Sequence, residues 1–114
     1  MSKLVAGNWK MFGNKDMIYD IKKIDQHCNG TKCEVAICPP FPLISAAHEQ
    51  TKNIKIGAQN CHININGAHT GEVSAEMLTE VGAELIIVGH SERRQDNSET
   101  NDIVKLKSEA VHRA

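Results

Sequence analysis

Glu84-Leu85-Ile86-Ile87-Val88-Gly89, followed at once by His90-Ser91-Glu92-Arg93-Arg94, is the stretch on which the reading of this chain turns. Four apolar residues in a row, mostly β-branched and closed by a glycine, have the length and composition of a strand. The run has no polar alternation, which predicts burial on both faces, as in a parallel sheet covered by helices. Working back, Ile54–Gln59 (I-K-I-G-A-Q), Cys33–Cys38 (C-E-V-A-I-C) and Lys3–Asn8 (K-L-V-A-G-N) are three more runs of strand length, each bounded by Gly, Pro, Asn or polar residues.

Helical patterns fill the gaps. Asp16–Cys28 carries Met17, Ile18, Ile21 and Ile24 on one stripe, with Lys22, Lys23, Asp25 and Gln26 mostly elsewhere. Asp16 suits its N-terminus, and Asn29-Gly30 tolerates a left-handed stop. Leu43–Thr51 follows the rigid Pro39-Pro40-Phe41-Pro42 turn. Ser74–Val81 starts on a capping serine and ends at Gly82. Ser98 to near the C-terminus predicts a fourth helix, with Ile103, Val104, Leu106, Ala110 and Val111 apolar and Asp102 and Lys105 paired on its surface. The order is strand–helix four times, an α/β chain whose crossovers force parallel neighbours and right-handed connections. No linker or repeat divides residues 1–114, so one domain is expected. Asn60–Val73 is the one long connection without a helix or strand pattern, and such loops are usually functional or disordered.

Composition narrows the function. The 114 residues carry 13 basic and 14 acidic side chains, so there is no sequence-wide basic footprint for nucleic acid or an anionic membrane. Aromatic residues make up 4%, too few for base-stacking platforms. No apolar run approaches the ~18 residues of a membrane span, and the N-terminus does not read as a signal peptide. Cys28, Cys33, Cys38 and Cys61 form no C-x-x-C pair and fit no common zinc motif. Free thiols in a reducing cytoplasm, some packed as small apolar groups, are the expectation, with no bound metal.

In parallel α/β architectures ligands bind at the carboxyl ends of the strands. Asn8, Trp9 and Lys10 follow the first run, Cys38-Pro39-Pro40 the second, Gln59 and Asn60 the third, and His90 through Arg94 the fourth. Taken singly, Lys10 reads as a solvated surface lysine, His90 as a structural histidine, Asn8 as a turn former, Trp9 and Cys38 as packing, and Arg93-Arg94 as a salt-bridged face. Together they place an amide, a lysine, an imidazole, a hydroxyl and a carboxylate on one rim. A lysine there can neutralise an anionic substrate or a developing oxyanion. A helical turn at Ser91–Arg94 would aim amide N–H groups at His90 and favour its neutral form. Glu92 is near enough to orient His90's surroundings or pair with Lys10.

Val5-Ala6-Gly7-Asn8-Trp9-Lys10-Met11, Cys38-Pro39-Pro40-Phe41, Gly57-Ala58-Gln59-Asn60 with Gly67-Ala68-His69-Thr70-Gly71-Glu72-Val73-Ser74, and Val88-Gly89-His90-Ser91-Glu92-Arg93-Arg94 fall in this order along the chain. The set resembles the signatures of the first four strands of the triosephosphate isomerase family. The resemblance implies interconversion of dihydroxyacetone phosphate and D-glyceraldehyde 3-phosphate, in glycolysis and gluconeogenesis, by a cytoplasmic homodimer without metal or organic cofactor. It implies His90 as a neutral electrophilic histidine, Lys10 for substrate and enediolate charge, and Asn8 as a substrate hydrogen-bonder. Glu92 and Ser91 would support them, and Thr70 would reach into the partner subunit's site. Two positions depart from the family pattern. Phe12 stands where a polar residue is usual, and His69 stands where Phe or Tyr is usual.

The family fold is a (β/α)8 TIM barrel of roughly 250 residues. Four βα units therefore imply its N-terminal half. The family's glutamate base, closing lid and glycine-rich phosphate loops belong to later units that these residues do not contain. The expectation is an isomerase segment inactive by itself. The alternative is a non-catalytic half-barrel that binds a partner or an anionic metabolite, or self-associates. A flavodoxin-like domain would need a phosphate loop after the first strand, and Gly7-Asn8-Trp9-Lys10 is not glycine-rich enough for one. In a half-barrel, Lys3–Asn8 and Glu84–Gly89 are open edges, with Leu85–Val88 the most apolar.

Overall fold

A computed structural model describes residues 3–114; Met1 and Ser2, on which part of the signal-peptide reading falls, lie outside the described residues. Strand β1 is Leu4–Asn8, helix α1 Ile18–His27, β2 Glu34–Cys38, α2 Ile44–Glu49, β3 Lys55–Ala58, α3 Ala75–Glu80, β4 Leu85–Ile86, α4 Ser91–Asn97 and α5 Asn101–Arg113. The strands form one sheet in the order β1-β2-β3-β4, all parallel, with Asn8 opposite Cys38, Ile37 opposite Ile56, and Ala58 opposite Ile86. Four βα units in sequential order, with helices between consecutive strands, make half of a (β/α)8 barrel.

The core lies between sheet and helices. Ile37, Ile56 and Ala58 from the strands meet Ile21 of α1, Ile44 and Ala47 of α2, and Ala75 and Leu78 of α3. Burying each of Ile21, Ile44, Ile56 and Leu78 contributes about 1.5–3 kcal/mol. Gly57 is needed on the other face: a Cβ there would come within 2.8 Å of both Cys38 Sγ and Leu85 Cγ.

β4 is shorter than its sequence suggests, two residues rather than six. Among the described residues it has a ladder partner on one side only. Glu84 N and Ile87 N still donate to Ile56 O and Ala58 O, each at 2.9 Å, so the backbone is held beyond the strand proper. The two sheet edges are unequally covered. Leu4 and Val5 of β1 are 53% and 57% exposed, whereas Leu85–Val88 are half-buried. Val104 of α5 packs close against Gly89, beyond the end of β4.

Helix boundaries correct the sequence expectations at the starts of α1 and α5. Asp16 does not cap α1: Asn14 caps a 3-10 turn at Lys15–Met17 by accepting from Asp16 N, and α1 follows. Met17 and Ile24 are partly exposed, while Asp25 is buried at 3%. The Asp25 Oδ1 accepts from Lys52 N, Asn53 N and Ile54 N at 3.0, 2.6 and 2.9 Å, which fixes the chain entering β3. A carboxylate that collects three amide donors can be buried without a cationic partner.

The helix expected from Ser98 begins three residues later as α5, and the turn expected at Ser91–Arg94 is a short helix of its own, α4. Ser98 adopts φ +54 and ends α4, and Thr100 caps α5 by accepting from Ile103 N. The buried face of α5 holds Lys107 and Ala110, while Ile103 and Leu106 are 37% and 46% exposed. The surface pair on α5 is Lys105–Glu109 rather than Asp102–Lys105. Ser74 caps α3 as expected, through Met77 N at 3.1 Å.

Candidate active site

Asn8, Lys10, Gln59, His90 and Glu92 line one open cleft of about 350 Å³ at the carboxyl ends of the strands, with Met11, Phe41, Asn60, Arg93, Asp96 and Asn97. Each element delivers its residue by stopping at the same height. β1 ends at Asn8, level with Cys38, and Trp9 N donates to Cys38 O at 3.1 Å. Gly89 turns the chain after β4 with φ +66 and delivers His90 as the N-cap of α4.

His90 Nδ1 accepts from Glu92 N at 3.1 Å. An Nδ1 that accepts leaves the ring proton on Nε2, so this contact selects the neutral Nε2–H tautomer. The amide N–H expected from a turn at Ser91–Arg94 is thus present, supplied by the first turn of α4. Glu92 Oε2 lies 3.5 Å from Lys10 Nζ, while its Oε1 lies 3.4 Å from His90 Nδ1, a contact between two acceptors while the ring is neutral. Lys10 and Glu92 are half exposed, so their attraction is worth at most about 1 kcal/mol. Its value is directional, holding the ammonium over the cleft beside Glu92.

Lys10 has φ +55, a conformation that a non-glycine residue adopts at a cost of about 1–3 kcal/mol. Both of its backbone groups are held by side chains. Lys10 N donates to Asn8 Oδ1 at 2.8 Å, and Lys10 O accepts from Gln59 Nε2 at 2.8 Å. Gln59 Nε2 also donates to Cys38 O at 2.8 Å. With Oδ1 engaged, Asn8 keeps its Nδ2 donor for the cleft. Sequence reasoning placed Gln59 on the rim but gave it no part; two backbone carbonyls from other strands are its partners, and no local pattern announces them.

Behind the rim sits a buried ionic cluster. Glu99 Oε2 accepts from Lys107 Nζ at 2.6 Å and from Arg93 Nε at 3.0 Å. Lys107 Nζ also reaches Asn60 Oδ1 at 2.8 Å. Burial alone would push the Glu99 carboxyl up, but the hydrogen bonds and charges of Lys107 and Arg93 outweigh it and hold the group below its usual value. Arg93 therefore meets the expected salt-bridged role. Arg94 instead binds Gly89 O at 2.9 Å and Asn101 Oδ1 at 2.8 Å.

Ser91 opens α4 and is exposed. Thr70 is exposed on the long loop and is not among the residues lining the cleft. That loop carries no helix or strand beyond a single bridge between His62 and Ser74. His69 stacks on His62 with ring centroids 4.2 Å apart and lies 3.0 Å from Asn64 Nδ2. Phe12 is 73% exposed. All four cysteines are free thiols, and burial raises Cys38 to about 11 and pushes Cys61 up as well. Among the described residues no three His, Cys, Asp or Glu side chains converge as metal ligands, and no helix is long and apolar enough to cross a membrane.

Four parallel βα units with a charged and polar rim at the carboxyl ends of the strands define the class: half of a (β/α)8-barrel domain. The triosephosphate isomerase family model matches residues 3–114, and the chain belongs to that family. Triosephosphate isomerase of Rhodopseudomonas palustris (strain BisA53) is 44% identical over 117 residues, covering 97% of this chain and 46% of the relative. That of Ruegeria sp. (strain TM1040) is 45% identical over 112 residues, covering 98% and 46%. The crystal structure of triosephosphate isomerase from Bartonella henselae superposes with a TM-score of 0.96 at 40% identity, covering all of this chain and 48% of that one. The chain spans about half the length of the curated relatives it matches, and its fold is that of the N-terminal half of the barrel.

Proposed function

We propose that this chain supplies the electrophilic half of a triosephosphate isomerase active site, acting on dihydroxyacetone phosphate and D-glyceraldehyde 3-phosphate. The observation that carries the reading is the convergence of Lys10, His90 and Asn8 on one cleft, with Glu92 paired to Lys10 and with His90 Nδ1 tied up as an acceptor. A histidine kept neutral near a helix N-terminus is the feature for which this family is itself the standard example.

Isomerisation moves a proton between adjacent carbons. A base takes a proton from the carbon next to the carbonyl and the electron pair shifts to the carbonyl oxygen; that oxygen then takes a proton while the neighbouring hydroxyl gives one up, and the base returns a proton to the former carbonyl carbon. His90 Nε2–H would donate to the oxygen that gains charge, Lys10 would stabilise the enediolate, and Asn8 Nδ2 would hold a substrate oxygen. Glu92 and Ser91 would support them. No step in this scheme draws on a metal or organic cofactor. The base comes from the other half of the barrel, so the 114 residues alone are inactive. A cytoplasmic homodimer, with Thr70 reaching into the partner's site, completes the reading.

In a parent chain carrying the second half, Lys10→Met should lower kcat/KM by at least about 100-fold. His90→Gln should act chiefly on kcat. Retention of kcat/KM within a few-fold by Lys10→Met would refute the role of Lys10. Turnover by the purified 114-residue chain, lost on His90→Gln, would refute its inactivity. The exposure of Leu4 and Val5 favours one second reading, a non-catalytic half-barrel that self-associates through the β1 edge.

A further inference from the structure

We propose that Gln59 is a positioning residue that holds Lys10 in its strained conformation and thereby sets where the ammonium meets substrate; this rests on the reading of Lys10 given above. A lysine at φ +55 relaxes to negative φ unless its surroundings forbid it. Here the two groups that would move are both tied. The Lys10 N–H is bound to Asn8 Oδ1, and the Lys10 carbonyl is bound to Gln59 Nε2, each at 2.8 Å.

The Gln59 amide is well placed for this. Its two Nε2 hydrogens go to Lys10 O after β1 and to Cys38 O at the end of β2, while its own backbone follows β3. Cys38 O also accepts from Trp9 N, so this carbonyl is the shared post to which the whole Trp9–Lys10 turn is fastened. One side chain therefore ties three strand ends together at the height of the cleft. An Asn side chain is one methylene too short to reach both carbonyls. A carboxylate would turn oxygen atoms toward two oxygen atoms. The Lys10 side chain has four further torsions, so without the backbone clamp its Nζ would no longer be confined within reach of Glu92.

The experiment uses the parent chain with both barrel halves and compares Gln59→Met, Gln59→Glu and, as control, Lys10→Met. Gln59→Met should lower kcat/KM about 10- to 100-fold, with kcat falling more than KM rises, at a temperature where the variant is fully folded by circular dichroism. Gln59→Glu should be at least as impaired at pH 8 and recover relative to the parent toward pH 6, as protonation restores one donor to the pair of carbonyls. If Gln59→Met does not fold, the pH dependence of Gln59→Glu decides alone: a flat ratio to the parent overturns the proposal. Lower thermal stability with kcat and KM unchanged would make Gln59 merely structural and overturn it too. Loss of activity in Lys10→Met beside intact Gln59 variants rejects the clamp alone. An active Lys10→Met rejects the reading of the site.

Discussion

Lys107→Met should be among the most damaging single substitutions away from the cleft. Lys107 Nζ sits 2.6 Å from Glu99 Oε2, and the two side chains are only 7% and 4% exposed. Removing the ammonium leaves a buried carboxylate with Arg93 alone on Oε2; its Oε1 already has no hydrogen-bond partner among the described residues. Asn60 Oδ1 loses its donor as well. Breaking a buried pair from one side costs about 3–5 kcal/mol, a large share of the roughly 5–15 kcal/mol of a domain this size. The surface pair Lys105–Glu109, at 4.0 Å and 76% and 60% exposed, is the control, and Lys105→Met should cost less than about 1 kcal/mol. The sign with pH follows from Glu99, whose carboxyl is held below its usual value in the fold. A depressed carboxyl stabilises above its unfolded pKa of about 4.3, and that contribution is lost as pH falls through the lower folded value. The gap between parent and Lys107→Met should therefore be widest near neutral pH and close under acid conditions. Replacing both partners, Glu99→Leu with Lys107→Met, should recover more than half of the loss, since an apolar pair needs no compensation. Urea unfolding of a parent chain carrying both barrel halves, followed by far-UV circular dichroism at one fixed chain concentration, measures all four proteins. A cost below about 1 kcal/mol for Lys107→Met at neutral pH, or a gap that widens in acid, would refute the reasoning.

Asp25→Ala should cost about 2–4 kcal/mol and speed amide exchange at Lys52, Asn53 and Ile54, the three donors it collects; unchanged exchange would deny it that role. At pH 8 a thiol reagent should modify the half-buried Cys28 and Cys33 about two orders of magnitude faster than Cys38, which burial raises to about 11, and mass-spectrometric mapping should show it; equal rates would contradict the burial. The 114-residue chain at micromolar concentration should associate or sediment as several species, because β1 presents an unpaired edge with Leu4 and Val5 exposed; a monodisperse monomer with a cooperative thermal transition would overturn this.

What the sequence made legible is what depends on short spans. Strand runs, the Ser74 cap, the Gly30 and Gly82 stops and the rim positions all follow from patterns a few residues long. What it hid depends on partners far along the chain. Asp25 looks like one more polar position on a helix until Lys52–Ile54 arrive 27 to 29 residues later. Lys107 looks solvent-facing because its acceptor Asn60 is 47 residues away, and its burial turns α5 so that Ile103 and Leu106 face outward. The start of α5 was misplaced for a different reason. Ser98 and Thr100 are both good capping residues, and only the left-handed φ of Ser98 decides that one ends a helix and the other begins the next.

The site depends on register more than on any one strand. Asn8 opposite Cys38 and Ala58 opposite Ile86 bring the strand ends to one level. A slip of a single residue would displace Lys10 by about 3.3 Å and reverse which face every side chain of that strand meets. The 3.5 Å approach of Lys10 Nζ to Glu92 could not survive it. Register here is fixed from both sides of the sheet. On the helix side, Ile37 and Ile56 must enter the core. At the carboxyl end, Pro39-Pro40, Gly89 at φ +66 and Lys10 at φ +55 stop three strands abruptly. Strand endings that cannot be extended leave the rim residues one attainable height, and the strained Lys10 and the bridging Gln59 are the contacts that fix it.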